Sequence, residues 1–440
     1  MTDTRPNILF IWTDQQAPGA MKCAGNPHLS TPAMDAMAAN GVRFERAYCT
    51  DPICVPSRTS WLTATMPHEN GVTFNTEDPP VARPSMATLL RDAGYDTGYV
   101  GKWHIPHDAA DTEWHGFDWV RHARNNGMDP DIPDSSIEFL QKERSGPFFL
   151  VSSFVNPHDI CEWARLMAGM GGSLPNGSIP EAPPPSECPP LPDNFEIPLP
   201  EPSAIRALQS LSRGTYPTVE WGEDLWRQYI WAYYRLIEKV DARIGMILDT
   251  LTASGKDRNT LVVFSSDHGD GTSSHRWNQK TLFYEEIARV PLIVRPPAGL
   301  ERGWVDDRDL VSMNLDFFPT VFDYVEIPIP EALAGRSLRP ILEERPGARG
   351  HDFVISQNDL APDYGVSGGV FGRMIRFDRF KYTRFSTGED REQLFDLDND
   401  PGETRNLAYE PEFAGEKKRC RDRLDTWMQE NGDPFLKQER

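Results

Sequence analysis

The sequence predicts an α/β protein, with a mostly parallel central sheet flanked by helices and a smaller C-terminal antiparallel sheet. Three observations lead there. Over the first two thirds, short apolar runs alternate with helical patterns, as in a parallel sheet wrapped by helices. Past about Pro328 this gives way to short runs separated by turn residues, which suits a small antiparallel sheet. The length, 440 residues, exceeds a single ordinary core, which stops growing near about 250–300 residues. The expected division is a main α/β body over residues 1–330 and an α+β unit over 331–440.

The strand candidates of the main body are Asn7–Trp12, Tyr95–Val100, Phe148–Val155, Leu261–Ser265 and Val290–Val294. Helices are expected at Thr31–Asn40, with Pro32 in its first turn, at Pro84–Ala93, closed by Gly94, and over the long amphipathic stretch Asp224–Ser254, closed by Gly255. Residues 169–217 contain Pro183-Pro-Pro185, Pro189-Pro190 and Pro198-Leu-Pro200. Such a segment cannot pair as a central strand and reads as an extended insertion, either a stiffened surface excursion or a substrate-selecting loop. The C-terminal sheet is expected from Phe353–Ser356, Gly368–Arg376, Phe380–Phe385 and Gln393–Leu397, with a final helix over Pro411–Glu430.

Composition narrows the function. Hydrophobic residues make up 39% of the chain, ordinary for a globular protein, whereas 66 acidic against 45 basic residues leave a net charge of −21. That balance argues against a nucleic-acid partner and, at first sight, against an anionic small substrate. The polar start runs into the brief apolar segment Ile8–Trp12, far short of a membrane span and without an export signal, so no membrane association is expected. Six cysteines at irregular positions (23, 49, 54, 161, 188 and 420) form no CxxC pair, and reduced thiols in a cytoplasm are the expectation.

Open parallel sheets bind ligands at the carboxyl ends of their strands. The first run ends Thr13-Asp14-Gln15, the second Gly101-Lys102-Trp103-His104, the third Asn156-Pro157-His158-Asp159, and the fourth Ser266-Asp267-His268-Gly269-Asp270. One aspartate after a strand is ordinarily a helix cap, and one histidine an ordinary core or surface residue. Four strand ends carrying carboxylates, imidazoles and an ammonium to one edge form a constellation. Asp14, Gln15, Asp267 and His268 supply mostly oxygen ligands, suited to a hard divalent cation rather than a Cys/His zinc site.

The candidate nucleophile lies in Asp51-Pro-Ile-Cys54-Val-Pro56-Ser57-Arg58. Pro56 suits the first turn of a helix, which places Cys54 at a helix entrance where amide groups and dipole favour an anion, with Arg58 one turn on. A low-pKa thiol of a cysteine hydrolase and a buried structural cysteine both fit that position. Tyrosine-phosphatase chemistry does not, because it needs five residues between Cys and Arg where this chain has three.

Cys54-Val-Pro56-Ser57-Arg58 resembles the C-x-P-x-R signature of the type I sulfatases, in the alkaline phosphatase superfamily. The resemblance extends through Pro6-Asn-Ile-Leu-Phe-Ile-Trp-Thr-Asp14, Gly101-Lys-Trp-His104, Ser266-Asp-His-Gly269 with Asn278-Gln-Lys280, and Leu394-Phe-Asp-Leu-Asp-Asn-Asp-Pro-Gly-Glu403. It implies an alkaline phosphatase-like fold and a Cys54 converted after translation to formylglycine by a formylglycine-generating enzyme. A hydroxyl of the hydrated aldehyde would attack sulfur, and the second would lose its proton to expel sulfate. Asp14, Asp267 and His268, with the Cys54-derived oxygen, are implied ligands of one divalent cation, calcium first and magnesium or manganese next. Gln15 stands where many relatives have a second Asp, and His268 where others have Asn. Arg58 and Lys102 are implied to hold the formylglycine and the sulfate oxygens, His104 to take the proton, and His158 and Lys280 to contact sulfate and assist the leaving oxygen. His275 is a looser candidate, second to these or facing substrate.

The resemblance implies hydrolysis of a small sulfate ester, of a sulfated carbohydrate first and an alkyl or aryl sulfate second. The alternative is a phosphonate monoester or phosphodiester hydrolase of the same superfamily. Choline-sulfate hydrolases resemble the chain at Asp14-Gln15 and Asp267-His268, but their longer C-terminal tail has no counterpart. Trp103, Trp114, Trp119, Trp163, Trp221, Trp226, Trp231 and Trp277 are available to stack on a sugar, to cage a quaternary ammonium, or to pack the core.

Overall fold

The computed structural model describes residues 4–75, 84–211, 217–331, 333–360 and 369–439. Its main sheet has eight strands, in the spatial order Trp119–Arg121, Asp96–Gly101, Phe148–Pro157, Asn7–Asp14, Thr260–Ser266, Leu292–Arg295, Val42–Phe44 and Trp304–Asp306. The first five are parallel neighbours, and Leu292–Arg295 alone runs against its neighbours. The expected strand at Val290–Val294 therefore exists, two residues later, but delivers nothing to the edge where the other strands end. Val42–Phe44, Trp119–Arg121 and Trp304–Asp306 carry no readable alternation because they are three residues long.

The central strand shows how sequence builds the two cores. Side chains alternate across a strand. Ile8, Phe10 and Trp12 point to one face, packed with Trp61 and Phe317, while Leu9 and Ile11 point to the other, packed under the long helix Glu223–Ala253. That helix buries Trp226, Tyr229, Ile230, Tyr233, Leu236, Ile237, Val240, Ile244, Ile247 and Leu251, the three- and four-residue spacing of an amphipathic face. On the first face Phe10, Trp12, Trp61 and Phe317 form an aromatic cluster with ring centroids 4.5–5.7 Å apart.

The four C-terminal strands, Phe353–Leu360, Val370–Phe377, Phe380–Phe385 and Glu392–Asp396, make an antiparallel meander. Val354 and Met374 pack toward Trp277, Leu282 and Phe283 of the main body, whereas Ile375, Tyr382 and Leu394 pack under the helix Ala414–Glu430. The final helix starts three residues later than expected, after a 3-10 turn at Pro411–Phe413. Gly368, the first residue of one expected strand, lies outside the described residues.

The proline-rich stretch has, as described, only a 3-10 turn at Pro185–Glu187 and a helix at Ser203–Leu211; residues 212–216 lie outside the described residues. It runs as a strap along the long helix, whose Arg227 and Gln228 donate to the carbonyls of Cys188 (2.8 Å) and Pro183 (3.1 Å). Asn194 ties it onward, donating to Glu286 (2.8 Å) and to the Gly402 carbonyl (3.0 Å). The six cysteines are unpaired thiols. Among the described residues no helix is long and apolar enough to cross a membrane.

Trp61 sits at the centre of the aromatic cluster and is fully buried. Trp61→Ala is expected to lower unfolding free energy by about 3–5 kcal/mol through lost transfer energy and a residual cavity, read as a lower denaturant midpoint. A loss under about 1 kcal/mol would show that the cluster collapses around the gap.

Candidate active site

The strands Asp96–Gly101, Phe148–Pro157, Asn7–Asp14 and Thr260–Ser266 are consecutive in the sheet, so the residues that follow them line one edge. Two glycines let the chain turn there. A Cβ on Gly101, whose φ is +101°, would lie 2.1 Å from the Ser153 carbonyl oxygen, and one on Gly269 would lie 1.9 Å from that of Glu286. Gln15 and His104 also take left-handed φ values, 68° and 44°, a conformation that is uncommon for non-glycine residues and concentrated at functional sites.

Cys54 opens the helix Cys54–Thr63, all ten residues of which are buried. The helix is clamped from several sides. Asn75 Oδ1 accepts from Val55 N–H (3.0 Å), and Ser57 Oγ donates to the Asp267 carbonyl (2.6 Å). Asn314 Nδ2 donates to the Ser57 carbonyl (2.8 Å) while its Oδ1 accepts from Thr50 N–H (2.9 Å). The Cys54 sulfur is thereby fixed 2.8 Å from Lys280 Nζ, 3.2 Å from His268 Nε2 and 3.8 Å from Asp14 Oδ1.

Arg58, one turn on, is fully buried and joins three strands. Its Nε donates to Asp267 Oδ2 (2.8 Å), and Nη1 donates to the Lys102 carbonyl (3.0 Å) and Ser153 Oγ (2.9 Å). Its guanidinium carbon lies 4.4 Å from the Trp12 ring centroid. Lys102 Nζ contacts Asp14 Oδ2. Burial opposes every one of these charges, yet for Asp14 the cations Lys102, Lys280 and Arg58 and the His158 ring outweigh it and hold the carboxyl well below its usual range. For Cys54, burial and Asp14 raise the thiol, but Lys280, Lys102 and His268 win and bring it well below a free thiol. Burial and the Asp14 charge push Asp267 up. Burial, with Lys280 and Lys102, keeps His158 well below an ordinary imidazole, and burial with Lys102 lowers His104.

Asp14, Cys54, Asp267 and His268 each bring one ligand atom into a group within 4.8 Å of one another, all four residues buried. His268 Nδ1–H donates to the Gly269 carbonyl (2.9 Å), which leaves the Nε2 lone pair facing the group. Two carboxylates and an oriented imidazole fit a divalent cation. Arg58, His104 and His158 each interact electrostatically with Cys54, and Arg58 Nη2, His104 Nδ1 and His158 Nδ1 are buried without a hydrogen-bond partner. Buried polar atoms are ordinarily paired, so three unsatisfied ones mark room for an anion's oxygens.

Gln15 reaches the group through its backbone, whose N–H donates to Asp267 Oδ1 (3.1 Å). Its side-chain Nε2 donates to Asp270 Oδ2 (2.8 Å), and Oε1 accepts from the Cys161 thiol (3.6 Å). His275 lies in a second cluster with Glu286 and Glu403, its ring stacked on Tyr284 at 4.0 Å. Sequence reasoning missed the supports. Asp270 accepts from Gln15, Tyr229 (2.9 Å) and two backbone amides, while Asp129 accepts from Val155 N–H (2.6 Å) and Asn156 N–H (2.9 Å) just before His158. Asp270 was visible as a strand-end acid, but Asn314, Tyr229 and Asp129 approach only through the fold.

A mostly parallel sheet with a buried nucleophile, paired acids and three unsatisfied polar atoms at its carboxyl edge suits a hydrolase of esters of tetrahedral oxyanions. A family model described as Sulfatase matches residues 6–327, and one described as N-sulphoglucosamine sulphohydrolase, C-terminal, matches residues 273–430. The Delta 4,5-hexuronate-2-O-sulfatase of Bacteroides thetaiotaomicron is 30% identical over 98% of this chain and 90% of its own. A solved 2-O GAG sulfatase superposes with a TM-score of 0.85 at 28% identity, covering 98% of this chain and 94% of that one. A structure in complex with its substrate D-glucosamine-2-N,6-O-disulfate superposes at 0.81 with 25% identity, covering 98% of both chains to within a percent. The phosphonate monoester hydrolase of Agrobacterium radiobacter, at 21% identity, 97% and 96% coverage and a TM-score of 0.75, shares the fold. The chain belongs to the sulfatase family. It is a sulfuric ester hydrolase, and the family implies a divalent metal and a formylglycine.

Arg58→Ala leaves Asp267 buried beside Asp14 without its guanidinium. The expected result is a stability loss of about 3–5 kcal/mol together with loss of sulfatase activity. Unchanged denaturation would mean that water or Lys102 replaces the guanidinium.

Proposed function

We propose that the protein hydrolyses the sulfate ester of a sulfated carbohydrate, using a formylglycine formed from Cys54 by a formylglycine-generating enzyme and one calcium ion. The observation that carries the reading is the set of unsatisfied polar atoms Arg58 Nη2, His104 Nδ1 and His158 Nδ1, on three side chains that each interact electrostatically with Cys54. The carbohydrate preference is supported by the relatives, one named for a hexuronate 2-O-sulfate and one solved with a glucosamine disulfate.

Asp14, Asp267 and His268 would hold the cation with an oxygen on residue 54. Gln15 is the remaining member of the proposed set; its Oε1, which accepts from the Cys161 thiol (3.6 Å), would turn to the cation while Asp270 keeps the amide N–H. Together the cation and the hydrated aldehyde supply a nucleophilic hydroxyl and polarisation of a sulfate oxygen. The remaining work falls to the chain's own groups. Arg58 and Lys102, already paired with Asp267 and Asp14, orient the acids and present fixed positive charge to the sulfate oxygens, which need no reorganisation during transfer. Lys280 Nζ, 2.8 Å from the residue 54 side chain, would contact the sulfate held against the nucleophile, and with His158 would assist the leaving oxygen. His104, held neutral by burial and Lys102, can take up on a ring nitrogen the proton whose loss releases sulfate.

The shared fold supports a second reading, hydrolysis of phosphonate monoesters or phosphodiesters. Parallel kinetics on matched aryl sulfate and aryl phosphonate esters decide between them. The expected outcome is a larger kcat/KM on the sulfate, and the reverse order would overturn the reading.

Protein produced with its modifying enzyme should yield a Cys54 peptide of the mass of formylglycine, and Cys54→Ala should be inactive. An unmodified thiol in active protein would refute the aldehyde. Chelation is expected to abolish turnover, with calcium restoring more activity than magnesium or manganese; restoration by those two alone would contradict the calcium assignment.

A further inference from the structure

Beside the site lies a cleft of about 620 Å³ that the sulfate-binding groups do not fill. It starts at Val55 and His104 and is walled by the turns 103–109 and 123–125. These turns follow the neighbouring parallel strands Asp96–Gly101 and Trp119–Arg121, so the cleft opens on the same carboxyl edge as the nucleophile. The two turns are bonded to one another. Trp103 N–H donates to the Arg124 carbonyl (3.1 Å) and His104 N–H to Asn125 Oδ1 (3.2 Å), while within the second turn Arg124 N–H donates to the His122 carbonyl (2.7 Å). Arg124 is therefore held in register with His104. The volume falls in the range of small-ligand pockets, roughly 300–1,000 Å³, enough for a sugar ring with its substituents.

The polarity of the cleft is uneven. His107 is taken by Asp111 (2.9 Å) and stacks on Trp114 at 4.0 Å. Asp108 accepts from Ala110 N–H (2.9 Å) as a turn cap. Arg124 has one ion pair, to Asp131 at 3.7 Å, with both side chains more than half exposed; contacts of that kind contribute little. Its planar guanidinium is suited to two oxygens of a carboxylate or sulfate.

We infer that this cleft receives the alcohol part of the substrate and that Arg124 selects a ring bearing a second anionic group, a carboxylate or a further sulfate, beside the ester that is cleaved. The inference rests on the sulfated-carbohydrate reading and adds the charge of the ring to it.

The test is steady-state kinetics of the full chain, matured with its modifying enzyme, on four sugars: a sulfated hexuronate, a disulfated hexosamine, a neutral hexose monosulfate, and a monosulfated hexosamine with a free amine. Arg124→Ala is expected to lower kcat/KM for the two anionic rings roughly 10- to 100-fold, mainly through KM, the scale of one charged hydrogen-bonded contact. The neutral ring should stay within about twofold, and Arg124→Lys should recover part of the loss. A carboxylate effect without a sulfate effect, or the converse, identifies which anion Arg124 reads. Equal losses on all four sugars, or a wild-type preference for the amine that Asp108→Asn removes, would overturn the inference while leaving the carbohydrate reading intact. A wild type active on aryl sulfates but inert on every sugar would overturn both.

Discussion

The buried pair between Arg58 and Asp267 is the constraint on which the rest of the site depends. Both groups are fully excluded from solvent, and a buried charge is tolerated only when paired and hydrogen-bonded. Arg58 meets that condition by reaching three strands at once, through Asp267 and the Lys102 carbonyl at the ends of two and Ser153 within the third. The same reach fixes where its helix starts, and so where Cys54 stands. Trp12 closes the guanidinium's other face, which links the aromatic core to the position of the nucleophile.

Around that pair three cations, Arg58, Lys102 and Lys280, face two carboxylates, Asp14 and Asp267. Asp14 sits against Lys102, Lys280 faces the Cys54 sulfur, and His268 lies between the two aspartates. A chain with a net charge of −21 can thus hold a locally cationic recess, because a field is set by nearby groups in a low-dielectric pocket rather than by the global sum. The acidic excess speaks to the outer surface and leaves a small anionic ester compatible with this cleft.

The supports of the site are placed for the same reason. Asp129, Asp270, Asn314 and Tyr233 satisfy backbone groups where strands end and no ladder continues, and Tyr229 holds the Asp270 carboxylate. The Cys54 helix takes Asn314 from a helix more than 250 residues along the chain. The proline-rich strap, unable to pair as a strand, instead supplies carbonyl acceptors for the long helix and Asn194, which ties it to Glu286 and to the turn at Gly402.

Local chemistry by itself determined the parallel body, the long helix, the C-terminal sheet and the residues that follow each strand, because period, breakers and strand-end polarity are written within a few residues of one another. It left the three-residue strands and the direction of the Leu292–Arg295 strand unread, since pairing direction is set by partners far away in the chain. Tertiary structure alone decided that Lys280 faces Cys54 across 226 positions, that Gln15 turns its amide N–H to Asp270, and that His275 joins a separate cluster with Glu286 and Glu403. Those outcomes follow from which buried charges and amides must be satisfied once the strands lie side by side, a condition that exists only in the packed chain.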